Sequence, residues 1–186
     1  MFHFRMLPIL QQDLDAIEVR RTAFLAELAA LPPAQFDFRP APGAWSVGDV
    51  ARHLSLVDKG TARVLHEKRV TGVARRALLD VVYRAPALGF YLRSGLIRAR
   101  VPVKSVIPDA DAPLDAIAAR WADARRSLAE YLERIDDATL RTIVYRHPFG
   151  GFMDIRATLG FLRRHHDHHM KQVARIRRAP GFPATR

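Results

Sequence analysis

Apolar side chains recur every three or four residues along most of this chain, the spacing that gathers them on one face of an α-helix. Over residues 7–31 the stripe is Leu10, Leu14, Ile17, Phe24, Leu25 and Leu28, with charged residues between. Pro32-Pro33 ends it, since proline lacks an amide donor and disfavours helix just before it. Residues 36–43 are proline-rich and read as an extended surface linker. A second helix begins at Trp45-Ser46-Val47, where Ser46 can cap the free amides of the first turn and Asp49 completes a capping box. Its stripe is Val50, Leu54, Val57, Thr61 and Val64, with Gly60 and Glu67 continuing roughly the same face. A third helix over residues 114–135 carries Ile117, Trp121, Leu128, Tyr131 and Leu132 inward and turns Arg125 and Arg126 outward. A turn at 136–140 leads to Gly150-Gly151, read as the bend before a last helix that Asp154 caps and Pro180-Gly181 stops.

Four long amphipathic helices predict an all-α four-helix bundle, in one domain spanning residues 1–186 with no internal repeat. Residues 71–112 fit the pattern least. Apolar runs at 78–83 and 88–92 are interleaved there with Arg75, Arg76, Arg84, Arg93, Arg98 and Arg100. They read as a basic helical insertion between helices two and three. It is a membrane-surface element, an arginine-bearing cap over an apolar pocket for an acidic substrate, or a helical elaboration with a solvated face.

Composition narrows the function classes. With 49% hydrophobic residues in 186, the chain can bury a substantial core. The absence of cysteine removes disulfides, thiolate metal sites and cysteine nucleophiles. A net charge of +11 invites a nucleic-acid reading, but the basic residues are dispersed, aromatics make up only 9%, and no nucleic-acid motif is present. A nucleic-acid partner is therefore not expected. No stretch is apolar enough for a signal peptide or a membrane span, so a cytoplasmic protein is the expectation.

The candidate chemistry lies in the last helix. Four of the eight histidines, His165, His166, His168 and His169, fall within five consecutive positions. At about 100° per residue, His165 and His169 share one face with Gln172, among Ile155, Leu162, Val173 and Ile176. His166 falls at the edge of that face, His168 on the other flank, and Asp167 toward water. Two imidazoles aimed inward from adjacent turns form half of a metal site, because each buried ring needs a partner for both nitrogens. His53 lies about 60° from the centre of the second helix's stripe by helical phase and is the candidate third ligand. A packed core histidine is the competing reading for each. His166 stands where H-E-x-x-H peptidases carry their glutamate, so a zincin is not expected. His166 and Asp167 diverge by about 100° on a helix, which argues against an HD-type phosphohydrolase dyad.

Trp45-Ser46-Val47 leading to His53, and His147-Pro148-Phe149-Gly150 leading to His165-x3-His169-x2-Gln172, resemble the DinB-like superfamily of four-helix metalloproteins. That superfamily includes YfiT-type metal-dependent hydrolases and thiol-dependent S-transferases. The resemblance covers residues 44–173. It implies that His53, His165 and His169 bind a divalent metal such as Zn, Ni or Fe. Met170-Lys171 departs from the Arg-Gly that members often carry before the glutamine. Three imidazoles leave coordination positions open, so metal-activated water or a metal-activated low-molecular-weight thiol acting on a small molecule is the leading expectation. Gln172 is a candidate to orient a ligand or bound water from behind. The alternatives are a non-catalytic metal- or ligand-binding bundle, stress-related in role, and a protein making peripheral membrane contact. A homodimer is the expected assembly.

Overall fold

The computed structural model describes residues 6–67, 104–109, 112–148 and 150–184. Four long helices carry the fold: α1 (Pro8–Ala29), α3 (Val47–Glu67), α4 (Leu114–Leu132) and α5 (Ile155–Arg177), with a one-turn α2 (Pro33–Phe36) after α1. The expected bundle is therefore present, and the basic segment expected over 71–112 lies mostly outside the described residues. Of it, residues 104–106 form a single 3-10 turn, Lys104–Val106.

Local signals set the helix ends. The Ser46 amide donates to Asp49 Oδ2 at 2.9 Å, and the Asp49 amide donates to Ser46 Oγ at 3.1 Å. This is the reciprocal capping box expected at the start of α3. Asp154 caps α5 by accepting from the Ala157 amide at 2.7 Å. Pro32 and Pro33 do end α1, but they also open the one-turn α2, so the irregular linker begins after Phe36. Residues 143–154 are a further departure from an all-helical reading. Ile143–His147 (β1) and Gly151–Asp154 (β2) pair antiparallel, with His147 opposite Gly151. Ile143, Val144 and Tyr145 suit a half-buried strand, and Gly151 takes a left-handed φ of 71° where the chain turns.

Helix direction follows from the side-chain pairs. Along the seam of α1 and α5, Asp13 meets Arg156, Arg20 meets Asp167 and Glu27 meets Arg177. The partners advance together, so α1 and α5 run parallel. Between α3 and α4, Ser55 meets Arg120, Asp58 meets Trp121 and His66 meets Ser127, so these two also run parallel. Parallel neighbours consecutive in the described fold cannot be joined by a tight turn. α3 spans roughly 30 Å, and the chain after it must return that distance before α4 begins.

The core divides in two. Leu10, Ile17, Leu65, Leu128, Leu132, Leu159 and Leu162 belong to one apolar cluster. Phe24, Leu28, Val50, Leu54, Ile117, Trp121, Val173 and Ile176 belong to the other. Buried polar groups come from α3, α4 and α5. Arg125 does not face outward as expected from its charge. It is buried one turn after Trp121 and pairs with Asp58 at 2.7 Å, while Trp121 Nε1 donates to the same carboxylate. Burial pushes the Asp58 carboxyl up, and the Arg125 guanidinium opposes that shift. The stripe of α3 is accordingly Val50, Leu54, Asp58, Thr61 and Leu65, with Val57 and Val64 only half-buried. Gly60 is half-buried too and Glu67 is exposed, so neither extends the inner face.

Gly48 sits where α3 passes beneath α2. A Cβ there would lie 2.4 Å from the Phe36 ring, whereas one at Gly60 would meet nothing within 4 Å. Gly60→Ala is expected to raise unfolding free energy by about 0.5–1 kcal/mol, the usual gain from removing glycine inside a helix. Gly48→Ala is expected to lower it by about 1–3 kcal/mol through overpacking. Urea midpoints of the two variants check the opposite signs.

Candidate metal centre

The polar layer of the bundle contains three imidazoles that meet. His53 projects from the first third of α3, and His165 and His169 project from adjacent turns of α5. His165 Nε2 lies 3.4 Å from His53 Nε2 and 3.1 Å from His169 Nε2. One nitrogen from each ring falls within 4.8 Å of the others. His53 and His169 are 4% and 7% exposed, and His165 is half-buried.

The outward-facing nitrogens explain why the inward ones are free. His53 Nδ1 donates to the Val106 carbonyl at 2.7 Å, and His169 Nδ1 donates to Gln172 Oε1 at 2.8 Å. A neutral imidazole carries one proton, so both Nε2 atoms then present lone pairs to the centre. His165 Nε2 can donate to only one of them. At least one lone pair is left facing its neighbours without a hydrogen, an unfavourable arrangement that a cation relieves. Tetrahedral metal–nitrogen bonds of about 2.0–2.1 Å place their nitrogens about 3.3 Å apart, close to the 3.4 and 3.1 Å separations seen here. The donor set therefore fits a divalent metal.

Electrostatics keep the rings in the ligand form. Burial lowers the His53 pKa to about 4, with the Val106 hydrogen bond opposing and the charge of His168 adding to the shift. Burial also pushes His165 and His169 well below the usual imidazole range, reinforced at His165 by the charges of His169 and His53 and at His169 by those of His53 and His168. All three are neutral at pH 7. Aromatic rings wall the site: Trp45 packs 4.9 Å from His53 and stacks on His169, and Phe161 stacks on His165 at 5.3 Å.

The remaining histidines are placed as follows. His168 is buried, with its ring 5.1 Å from His169. His166 is not at the edge of the inner face but buried, 5.9 Å from Phe24 in an edge-on contact, and both of its ring nitrogens lack a hydrogen-bond partner. Asp167 reaches α1 and pairs with Arg20 at 2.7 Å instead of standing alone in water. Residues that helical phase did not single out are Val106, whose backbone orients His53, and His147 on β1. The His147 Nδ1 accepts from the Gly150 amide at 2.9 Å, and its ring packs 4.5 Å from Phe161. No periodicity could have marked Val106, because its contribution is a carbonyl 53 residues from the side chain it meets.

Residues 16–173 match the DinB superfamily. No curated protein matches the chain. Among solved structures, TT2238, described as a four-helix bundle protein, is 26% identical with a TM-score of 0.54, covering 89% of this chain and 98% of its own. YfiT from Bacillus subtilis is described as a probable metal-dependent hydrolase with an unusual four-helix bundle topology. It is 16% identical with a TM-score of 0.58, over 93% of this chain and 88% of its own, a likeness of fold.

The buried, uncharged histidines make the fold acid-sensitive. His166 is held near pKa 4 chiefly by burial, whereas an unfolded chain takes up that proton near 6.5. Its contribution to stability is complete above about pH 6.5 and is lost as pH falls toward 4. His166→Phe keeps the ring contact with Phe24 and removes the proton. Unfolding free energy measured between pH 7 and 4.5 should fall less steeply in that variant, by up to about 1.4 kcal/mol per pH unit. An unchanged slope would show that His166 is not buried in its neutral form.

Proposed function

Because the chain belongs to the DinB superfamily, we propose that it is a divalent-metal-dependent enzyme acting on a small molecule, with His53, His165 and His169 as the metal ligands. One observation carries this reading: three Nε2 atoms converge at 3.1 and 3.4 Å while the outer nitrogens of two rings are already engaged by Val106 and Gln172. Packing alone gives no reason to aim lone pairs at one another. Three protein ligands leave coordination positions for other groups, as in catalytic zinc sites and unlike closed structural ones.

A bound divalent ion supplies Lewis acidity, which makes a water or a small-molecule thiol nucleophilic near neutral pH. The residues around it have separate tasks. Val106 and Gln172 fix the proton of His53 and His169 on Nδ1 and so raise the basicity of Nε2. Trp45 and Phe161 restrict water and hold the rings at their angles. Burial keeps all three imidazoles neutral, so a cation enters without net release of protons. Described as a probable metal-dependent hydrolase, YfiT supports water as the nucleophile; transfer to a low-molecular-weight thiol is the alternative within the same site. Imidazole suits Zn, Ni and Fe alike.

Elemental analysis of protein purified without a tag or a nickel column tests the proposal. About one divalent metal per chain is expected, absent from His169→Ala. Titrating the metal-free protein should raise its stability by about 2.7 kcal/mol at a hundredfold excess over Kd. A wild type that contains no metal and takes up neither Zn, Ni nor Fe would remove the enzyme reading. Once loading is established, ester and amide hydrolysis compared with and without an added thiol separates the two chemistries.

A further inference from the structure

His53 owes its orientation to a stretch of chain that contributes no ligand. The Val106 carbonyl that accepts from its Nδ1 lies on the segment returning from the end of α3 to the start of α4. Residues 104–109 have little core of their own: Ile107 is 51% exposed, and the 3-10 turn Lys104–Val106 buries no side chain. What fixes them is a set of polar contacts. Asp109 receives two hydrogen bonds from the Arg120 guanidinium, at 2.7 and 3.2 Å. The same guanidinium donates through Nε to Ser55 Oγ at 3.0 Å, and Ser55 Oγ donates to the Arg52 carbonyl one residue before His53. Further along, Arg52 Nε donates to the Ala112 carbonyl at 3.0 Å.

We propose that the Asp109–Arg120 pair is a positioning device for His53: it clamps the returning segment to α4 and thereby holds the Val106 carbonyl on Nδ1, which presents Nε2 to the metal. The geometry favours this over a general stabilising role. A two-point guanidinium–carboxylate contact fixes direction as well as distance, and Arg120 ties that segment and the α3 backbone beside His53 to one side chain. Exposed ion pairs contribute little to global stability. Asp109 is 46% exposed, so its loss should cost little of the fold while freeing the segment. Neither Asp109 nor Arg120 hydrogen-bonds to an imidazole of the triad. The effect of Asp109 passes through Val106, while Arg120 also reaches the α3 backbone beside His53 through Ser55. Any effect on metal affinity rests on the proposed metal site, whereas the effect on the His53 proton does not.

Two measurements on full-length protein test it. The first records the ring nitrogens of His53 by long-range 15N–1H NMR in metal-free protein. Wild type should show the Nδ1–H form. Asp109→Asn and Arg120→Gln should both shift the signal toward the Nε2–H form or an average of the two. The second measures zinc affinity by competition with a chelator. Each variant should bind about tenfold or more weakly, within the range for removing an outer partner of a ligand. The double variant should be no weaker than either single one, because the pair acts as a unit. Arg126→Gln, which removes the exposed pair with Asp123 on the same helix, is expected to change neither quantity. Asp109→Asn is the milder change and decides the matter should Arg120→Gln unfold. Variants that keep the Nδ1–H form and a zinc affinity within twofold of wild type overturn the inference. A wild type that binds no zinc overturns the proposed function instead, and the NMR result still judges the positioning role.

Discussion

Three neutral imidazoles with their Nε2 atoms turned toward one another cannot satisfy themselves. A ring nitrogen that accepts needs a donor, and with the protons of two rings committed to their outer sides the three do not have enough hydrogens among them. Everything around the centre is arranged to maintain that shortage. The Val106 carbonyl and the Gln172 amide oxygen hold protons on the far sides of His53 and His169. Trp45 and Phe161 cover the faces of the rings. Buried surroundings depress the basicity that would otherwise let protons fill the gap. Such a centre is costly for the polypeptide alone and favourable once a cation shares the lone pairs.

That cost explains the layering of the core. Two apolar clusters carry the packing of the bundle, and the imidazoles lie at the level where those clusters give way to polar groups. The Asp58–Arg125 pair, with the Trp121 indole on the same carboxylate, joins α3 to α4. A buried ion pair of this kind is weak evidence for stability, because desolvation offsets much of the attraction. Its value here is geometric. It fixes the rotation of α4 against α3, and α3 carries His53.

Much of this was legible in the sequence, for reasons that can be given residue by residue. Helical periodicity located the four long helices and put His165 and His169 on the inner face. The capping residues Ser46, Asp49 and Asp154 marked two of the starts. Periodicity reads polarity as exposure, however, and so it turned Arg125 outward and gave His166 to the edge of the face. Both are buried because of partners on other helices, Asp58 in one case and Phe24 in the other. The hairpin at 143–154 escaped notice because two short strands beside a glycine turn carry too few residues for a period to show. Helix direction was also invisible. The parallel pairs α1–α5 and α3–α4 emerge only from which charges meet across the seams.

The parallel course of α3 and α4 also bears on how quickly the molecule assembles. An up-and-down bundle closes each neighbour through a short turn, and its contacts are local. In this chain His53 meets a carbonyl 53 residues ahead and an imidazole 112 residues ahead. Folding rates fall as the mean sequence separation of contacts rises. This protein should therefore fold more slowly than up-and-down bundles of its size. The centre joins side chains more than a hundred positions apart, so on a ribosome it closes only after His169 has emerged.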